Sequence, residues 1–280
     1  MHMFFVFYSL IFKHILVDWC YQSEFTCSHT CPEVWEGVSY NCGGRFQSPV
    51  NIVTKKNQLD ECLTPFHFSG YQDTFYGRLL NNGHSGTLQL HLHWGRDGGL
   101  GSEHTIDGER FPMEIHIVHI KEEYNSLSEA VRDRTGAAVL GFFFQVILFG
   151  YFVVKLAIIM RLKVYNSTTL RGVSLEMLIP HQENMTKYFR YSGSLTTPNC
   201  SEAVVWSLFE NPIPLSRKQL TAFSQLLFPD GKPMVKTYRP LQPMNRRQVY
   251  YSSGNVALVS TVLPLMSVLV SSALCLHTTG

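Results

Sequence analysis

The chain has 280 residues, 45% hydrophobic and 16% charged, enough for one large domain with a substantial core. A formal net charge of +2, with no basic run, glycine-rich phosphate loop, heptad pattern or internal repeat, argues against a nucleic-acid partner and a nucleotide site. Seven cysteines, six of them ahead of the C-terminal tail, fit an oxidising compartment.

In chain order, residues 1–18 read as a signal peptide whose apolar core, Met3 to Val17, is interrupted by Lys13 and His14. Short β-rich segments broken by Gly, Pro and Asn then predominate. They predict an α+β, mainly β protein, with a helix expected around Leu215 to Leu227. Within Leu90-His91-Leu92-His93-Trp94, strand spacing puts His91 and His93 on one face and Leu90, Leu92 and Trp94 on the other. A second strand, Met113 to Ile120, can offer His116 to the same point. Three neutral imidazoles leave a fourth tetrahedral position open, which is the ligand set of a catalytic zinc. The competing readings are ordinary sheet histidines and a cupin-like His-x-His strand binding iron or manganese. Glu114 shares a face with His116 and is costly to bury without a partner.

Farther on, Ala137 to Val154 is apolar except for Gln145, long enough to read as a membrane-spanning helix. Asn166-Ser167-Thr168 and Asn184-Met185-Thr186 are glycosylation sequons. Asn199-Cys200-Ser201 also fits that pattern. At the C-terminus Ser252-Ser253-Gly254-Asn255 precedes an apolar tail from Val256 to Leu276, which suggests GPI attachment near Ser253 and removal of residues 254–280. A retained C-terminal membrane helix is the alternative.

Gly101-Ser102-Glu103-His104-Thr105, Glu114-Ile115-His116-Ile117-Val118-His119 and Ser194-Leu195-Thr196-Thr197-Pro198 together resemble an α-class carbonic anhydrase. Gln47-Ser48-Pro49-Val50-Asn51-Ile52, Asn81-Asn82-Gly83-His84, Ala138-Val139-Leu140-Gly141, Val204-Val205-Trp206 and Arg239-Pro240-Leu241-Gln242-Pro243 agree in order, so the resemblance covers about residues 19–250. Trp19-Cys20-Tyr21, Lys187-Tyr188-Phe189-Arg190-Tyr191 and the apolar tail are most similar to the extracellular, GPI-anchored kind.

The resemblance implies a single catalytic domain, residues 19–253, built on a large twisted, mostly antiparallel sheet with peripheral helices. It implies Zn2+ held by His91, His93 and His116, with Gln89 and Glu114 orienting His91 and His116 from behind. Thr196 would accept the hydrogen of the attacking hydroxide and pass its own to Glu103, and His84 would carry the proton to bulk. Val118, Val139, Leu195, Thr197, Val204 and Trp206 would line the substrate pocket. Cys42 would pair with Cys200, and Cys20 with Cys31 or Cys27, leaving Cys62 unassigned. Carbon dioxide, bicarbonate and water are the implied reactants, for a monomer at the outer face of the plasma membrane, near bicarbonate transporters.

Two stretches depart from the family. Near residues 85–87 the chain lacks roughly twenty residues, about a hairpin, which would leave an unpaired sheet edge or a rearranged connection. Near residues 146–163 an apolar segment replaces a polar connection. A membrane span there would separate His91, His93 and His116 from Thr196, so an assembled site excludes it. The alternative function is a catalytically impaired zinc-binding domain of the same fold.

Overall fold

The computed structural model of the protein describes residues 19–21, 31–81, 86–87, 90–147, 167–228 and 231–254. Its centre is a seven-stranded sheet in the order Gln58–Leu59, Tyr250–Ser252, Tyr188–Gly193, Val204–Ser216, Ala137–Ile147, Met113–Ile120, Leu90–Trp94. Four of the six pairings are antiparallel; Val204–Ser216 with Ala137–Ile147 and Tyr250–Ser252 with Gln58–Leu59 are parallel. Helices are few and short, as expected for a mainly β domain.

Strand alternation sorts the side chains into two layers. Leu92, Trp94, Ile115, Ile117, Leu140, Phe142 and Phe144 enter one core, while Val118, Val139, Phe143, Val204, Trp206 and Leu208 enter the other. His91, His93, Glu114 and His116 project on the second face, in register with Phe143 and Gly141 behind them. Ala137–Ile147 is central and, over residues 137–144, covered on both faces, where it is an almost unbroken apolar run; Gln145 and Ile147 at its end are exposed. That accounts for the first part of the long apolar stretch: residues 137–147 are sheet, and the remainder lies outside the described residues. Among the described residues no helix is long and apolar enough to cross a membrane.

The Leu90–Trp94 strand is the last of the seven among the described residues. Phe75–Asn81 and Gly86–Thr87 instead form a separate three-stranded sheet with Ser167–Val173. One end of the edge strand is tied down by a loop. The Trp94 N–H donates to Thr237 Oγ1 at 2.9 Å, the Thr237 N–H to the Trp94 carbonyl at 3.1 Å, and the Trp94 indole to the Met234 carbonyl at 2.6 Å. Beyond it the chain doubles back so tightly that a Cβ on Gly101 would stand 1.9 Å from the Gly95 nitrogen; only glycine admits this approach, which carries Ser102–His104 beneath the strands.

The expected helix is shorter than its sequence pattern. Leu215 and Ser216 still belong to the sheet, and Ser216 with Gln219 forms a capping box that starts Arg217–Phe223. Cys42 and Cys200 are bridged, and both are buried. Cys20 and Cys62 are each disulfide-bonded. Cys31, one expected partner for Cys20, is instead a free thiol at the turn before Pro32, and burial and a hydrogen bond to Glu33 raise its pKa.

Candidate metal centre

His91 Nε2, His93 Nε2 and His116 Nδ1 converge: the His116 atom lies 3.2 Å from each of the other two. For two of the rings, a partner behind fixes which nitrogen carries hydrogen. His93 Nδ1 is 2.5 Å from the Thr237 carbonyl, which can only accept, so Nδ1 is the donor. His116 Nε2 is 2.6 Å from Glu114 Oε1 and donates to it, so Nδ1 is the nitrogen turned to the centre. Burial holds the His91 pKa well below the usual imidazole range and lowers that of His93 to about 3, so both rings are neutral at pH 7. Three imidazole nitrogens gathered at this distance, two of them on rings whose other nitrogen already donates elsewhere, suit a cation held between them. The separations match the edge of a tetrahedron of nitrogens roughly 2.0–2.1 Å from a zinc ion. The three residues therefore fit a metal ion such as Zn2+.

Glu114 is the hub behind the ligands. Its Oε2 accepts the N–H groups of Glu103 and His104, both at 2.8 Å, and its Oε1 also receives His104 Nδ1 at 2.7 Å. His104 Nε2 in turn meets the Tyr191 hydroxyl at 2.6 Å. Burial would raise the Glu114 pKa, and the two imidazoles more than reverse that, so it is held well below the usual carboxylate range. His104, Glu114 and His116 also have metal-ligating spacing among themselves. Their hydrogen bonds already use the relevant atoms, so this trio orients a ligand and is not a second site.

Glu103 is fully buried. Its Oε1 accepts the Arg239 N–H at 2.8 Å. Its Oε2 faces the cluster, 3.4 Å from His93 Nε2 and 3.9 Å from His116 Nδ1, without a well-formed hydrogen bond among the described residues. Burial pushes its pKa up to about 7, opposed by His116, the Arg239 N–H and the Thr196 hydroxyl, which lies within reach of the carboxyl. Thr196 is itself buried. Val118, Val139, Val204 and Trp206 share one apolar cluster with Leu195 packed against it, and the Trp206 ring stands 4.7 Å from that of His116. Thr197 is half-buried.

His84, Gln89 and Asn166 lie outside the described residues. Asn184 is exposed. Sequence reasoning missed Thr237, Tyr191 and the orienting role of His104. The first acts through its backbone, which no side-chain pattern reveals; His104 lies inside the Gly101–Thr105 motif, where spacing alone does not connect it to Glu114.

A sequence model of the eukaryotic-type carbonic anhydrases matches residues 30–90 and 86–253, two pieces that meet where the hairpin is missing. Carbonic anhydrase 4 of Rattus norvegicus is 36% identical over 287 aligned positions, covering 92% of this chain and 91% of the relative. That of Oryctolagus cuniculus is 38% identical with the same coverage. Carbonic anhydrase 12 of Homo sapiens is 33% identical over 86% of this chain and 76% of its own length. The first two alignments are longer than the chain itself, so those relatives carry residues that it lacks. With family-wide similarity on both sides of the gap, and with the sheet and its imidazole cluster in place, the chain belongs to the eukaryotic-type carbonic anhydrase family of carbonate dehydratases.

Proposed function

We propose that the protein catalyses zinc-dependent, reversible hydration of carbon dioxide to bicarbonate and a proton at the extracellular face of the plasma membrane. The observation that carries this reading is the convergence of three imidazole nitrogens beside the buried Thr196 and Glu103. Bound zinc supplies hydroxide near neutral pH; carbonic anhydrase is itself the usual illustration, with a bound-water pKa of about 7. His91, His93 and His116 hold the metal, with Glu114 and the Thr237 carbonyl fixing two of the rings. Thr196 accepts a hydrogen from the nucleophile and donates its own to Glu103, whose carboxylate the Arg239 N–H keeps in place. The apolar wall of Val118, Val139, Leu195, Val204 and Trp206 excludes water and receives an apolar substrate, and Thr197 is proposed to line the same pocket. His84 is proposed to relay the proton and Gln89 to orient His91.

Several features support the location. The Cys42–Cys200 bridge and the bonded Cys20 and Cys62 suit an oxidising compartment. The exposed Asn184 can accept a glycan, as can Asn166 by sequence. A leader at 1–18 and GPI attachment at Ser253 would hold a monomer where transporters handle bicarbonate.

One observation favours a second reading, a zinc-binding domain with impaired turnover: among the described residues, the strand bearing His91 and His93 stands at the sheet edge. Zinc content and stopped-flow carbon dioxide hydration on the purified protein, with Thr196→Ala alongside, separate the two. Stoichiometric zinc and hydration that collapses in the variant are expected; stoichiometric zinc without hydration would leave the second reading standing.

A further inference from the structure

Arg110 lies outside the chemistry described so far, yet it touches both chain segments that aim Glu103. Its Nη1 donates to the Ser102 carbonyl and, at 3.3 Å, to the Glu103 carbonyl. Its guanidinium lies 4.4 Å over the Tyr238 ring. Tyr238 sits between Thr237, whose carbonyl orients His93, and Arg239, whose N–H holds Glu103 Oε1. No carboxylate is within ion-pair distance of Arg110 among the described residues, so its partners there are two carbonyls and an aromatic face.

We propose that Arg110 is a positioning residue for Glu103. It clamps the Ser102–Glu103 backbone against the Thr237–Arg239 segment and so sets the distance between the Glu103 carboxylate, Thr196 and the metal. The planar fork suits the task, because it can bond carbonyls edge-on while its face rests on a ring; a lysine ammonium cannot do both. The neighbouring strand pairing, Thr105 with Arg110, already fixes the backbone of residue 110 and does not need the guanidinium. The inference rests on the proposed hydration at this centre.

The test uses the purified full-length protein with Arg110→Ala, Arg110→Lys, Tyr238→Leu and the Ala/Leu double variant. Stopped-flow hydration is measured across pH, and the visible spectrum of the cobalt(II)-substituted protein is recorded over the same range. Arg110→Ala is expected to lose kcat on the order of tenfold with KM nearly unchanged, because misplacement affects only interactions made in the transition state. The pH midpoint of its cobalt spectrum should shift, and zinc stoichiometry should hold. The double variant should be no worse than either single one, since both break the same clamp. If Arg110→Ala fails to fold, Arg110→Lys is read instead, with the same direction of change expected. A cobalt spectrum and pH profile identical to those of the parent in the variant that folds would overturn the proposal, as would additive losses in the double variant. A parent protein that binds metal but hydrates no carbon dioxide would instead defeat the hydration reading, while the cobalt spectra still decide the role of Arg110.

Discussion

The carbonyl oxygen of Thr237 stands 2.5 Å from Nδ1 of His93, although 144 positions of chain separate the two. The same residue accepts the buried Trp94 N–H through Oγ1 at 2.9 Å, so its side chain fixes the carbonyl that fixes the imidazole. Thr237→Val keeps the shape and removes the acceptor. An orphaned buried N–H costs about 1–3 kcal/mol. Thermal unfolding should shift down accordingly, and zinc should leave faster to a chromophoric chelator. Thr237→Ser should restore both values.

Glu114 answers four donors with two oxygens. Glu114→Gln would turn an amide N–H2 toward donors that have no lone pair to offer. Its zinc affinity should fall roughly 10–100-fold, the usual penalty for losing a carboxylate behind a ligating histidine. Competition with a chelator of known affinity measures this. An affinity equal to the parent's would mean that the strand alone orients His116.

Gly141 lies opposite His116 in the sheet. A Cβ there would stand 2.6 Å from Leu208 Cδ2 and 3.4 Å from Glu114 Oε1. Gly141→Ala should therefore cost about 1–3 kcal/mol by overpacking, read from urea unfolding. Leu208→Val in the same chain removes the nearer obstacle, so the pair should recover part of the loss. A Gly141→Ala protein as stable as the parent would show that Leu208 moves aside freely.

What the sequence made legible was what the strand period exposes. His91 and His93 alternate with Leu92 and Trp94, and Glu114 and His116 alternate with Ile115 and Ile117; both strands form over the expected residues with their faces as expected. Long-range partners were less visible. Thr237 acts through its carbonyl, and the Arg110 clamp needs three segments to meet, which no local spacing announces. The Ala137–Val154 run misleads for a different reason. A strand buried on both faces and a membrane helix are equally apolar, and only the pairing of residues 137–147 between two strands separates them.

His119 carries a pH dependence separate from the metal. Its Nδ1 donates to the Ile117 carbonyl at 3.1 Å, and its Nε2 accepts from the Tyr71 hydroxyl at 2.9 Å, an arrangement that requires the neutral ring. Burial lowers its pKa to about 4, against an ordinary imidazole value near 6.5. The unfolded chain therefore binds the extra proton between pH 6.5 and 4. Stability is complete above 6.5 and falls through that window by up to about 3 kcal/mol. Urea unfolding of the parent from pH 7 to 4 should show this decline, and His119→Gln should make it shallower by one proton, leaving the pH dependence that belongs to His91, His93 and Glu103. An equally steep decline in the variant would assign the effect to other groups.

The Cys42–Cys200 bridge spans a sequence separation of 158 and lies four residues beyond Thr196. Closing so long a loop restricts the unfolded chain by about 5 kcal/mol on the loop-entropy account. It also anchors a turn: the Cys200 N–H donates to the Thr197 carbonyl at 2.8 Å, and the Leu195 N–H to the Ser201 carbonyl at 3.0 Å. A Cys42→Ser, Cys200→Ser protein should melt well below the parent. Below its melting range it should also hydrate carbon dioxide more slowly, because the turn that carries Thr196 is no longer anchored. A lower melting temperature with unchanged turnover would mean that the loop is fixed from its other side. There Ser48 and Ser194 exchange hydrogen bonds of 2.9 and 3.0 Å, and Ser48→Ala would then be the substitution that slows the reaction.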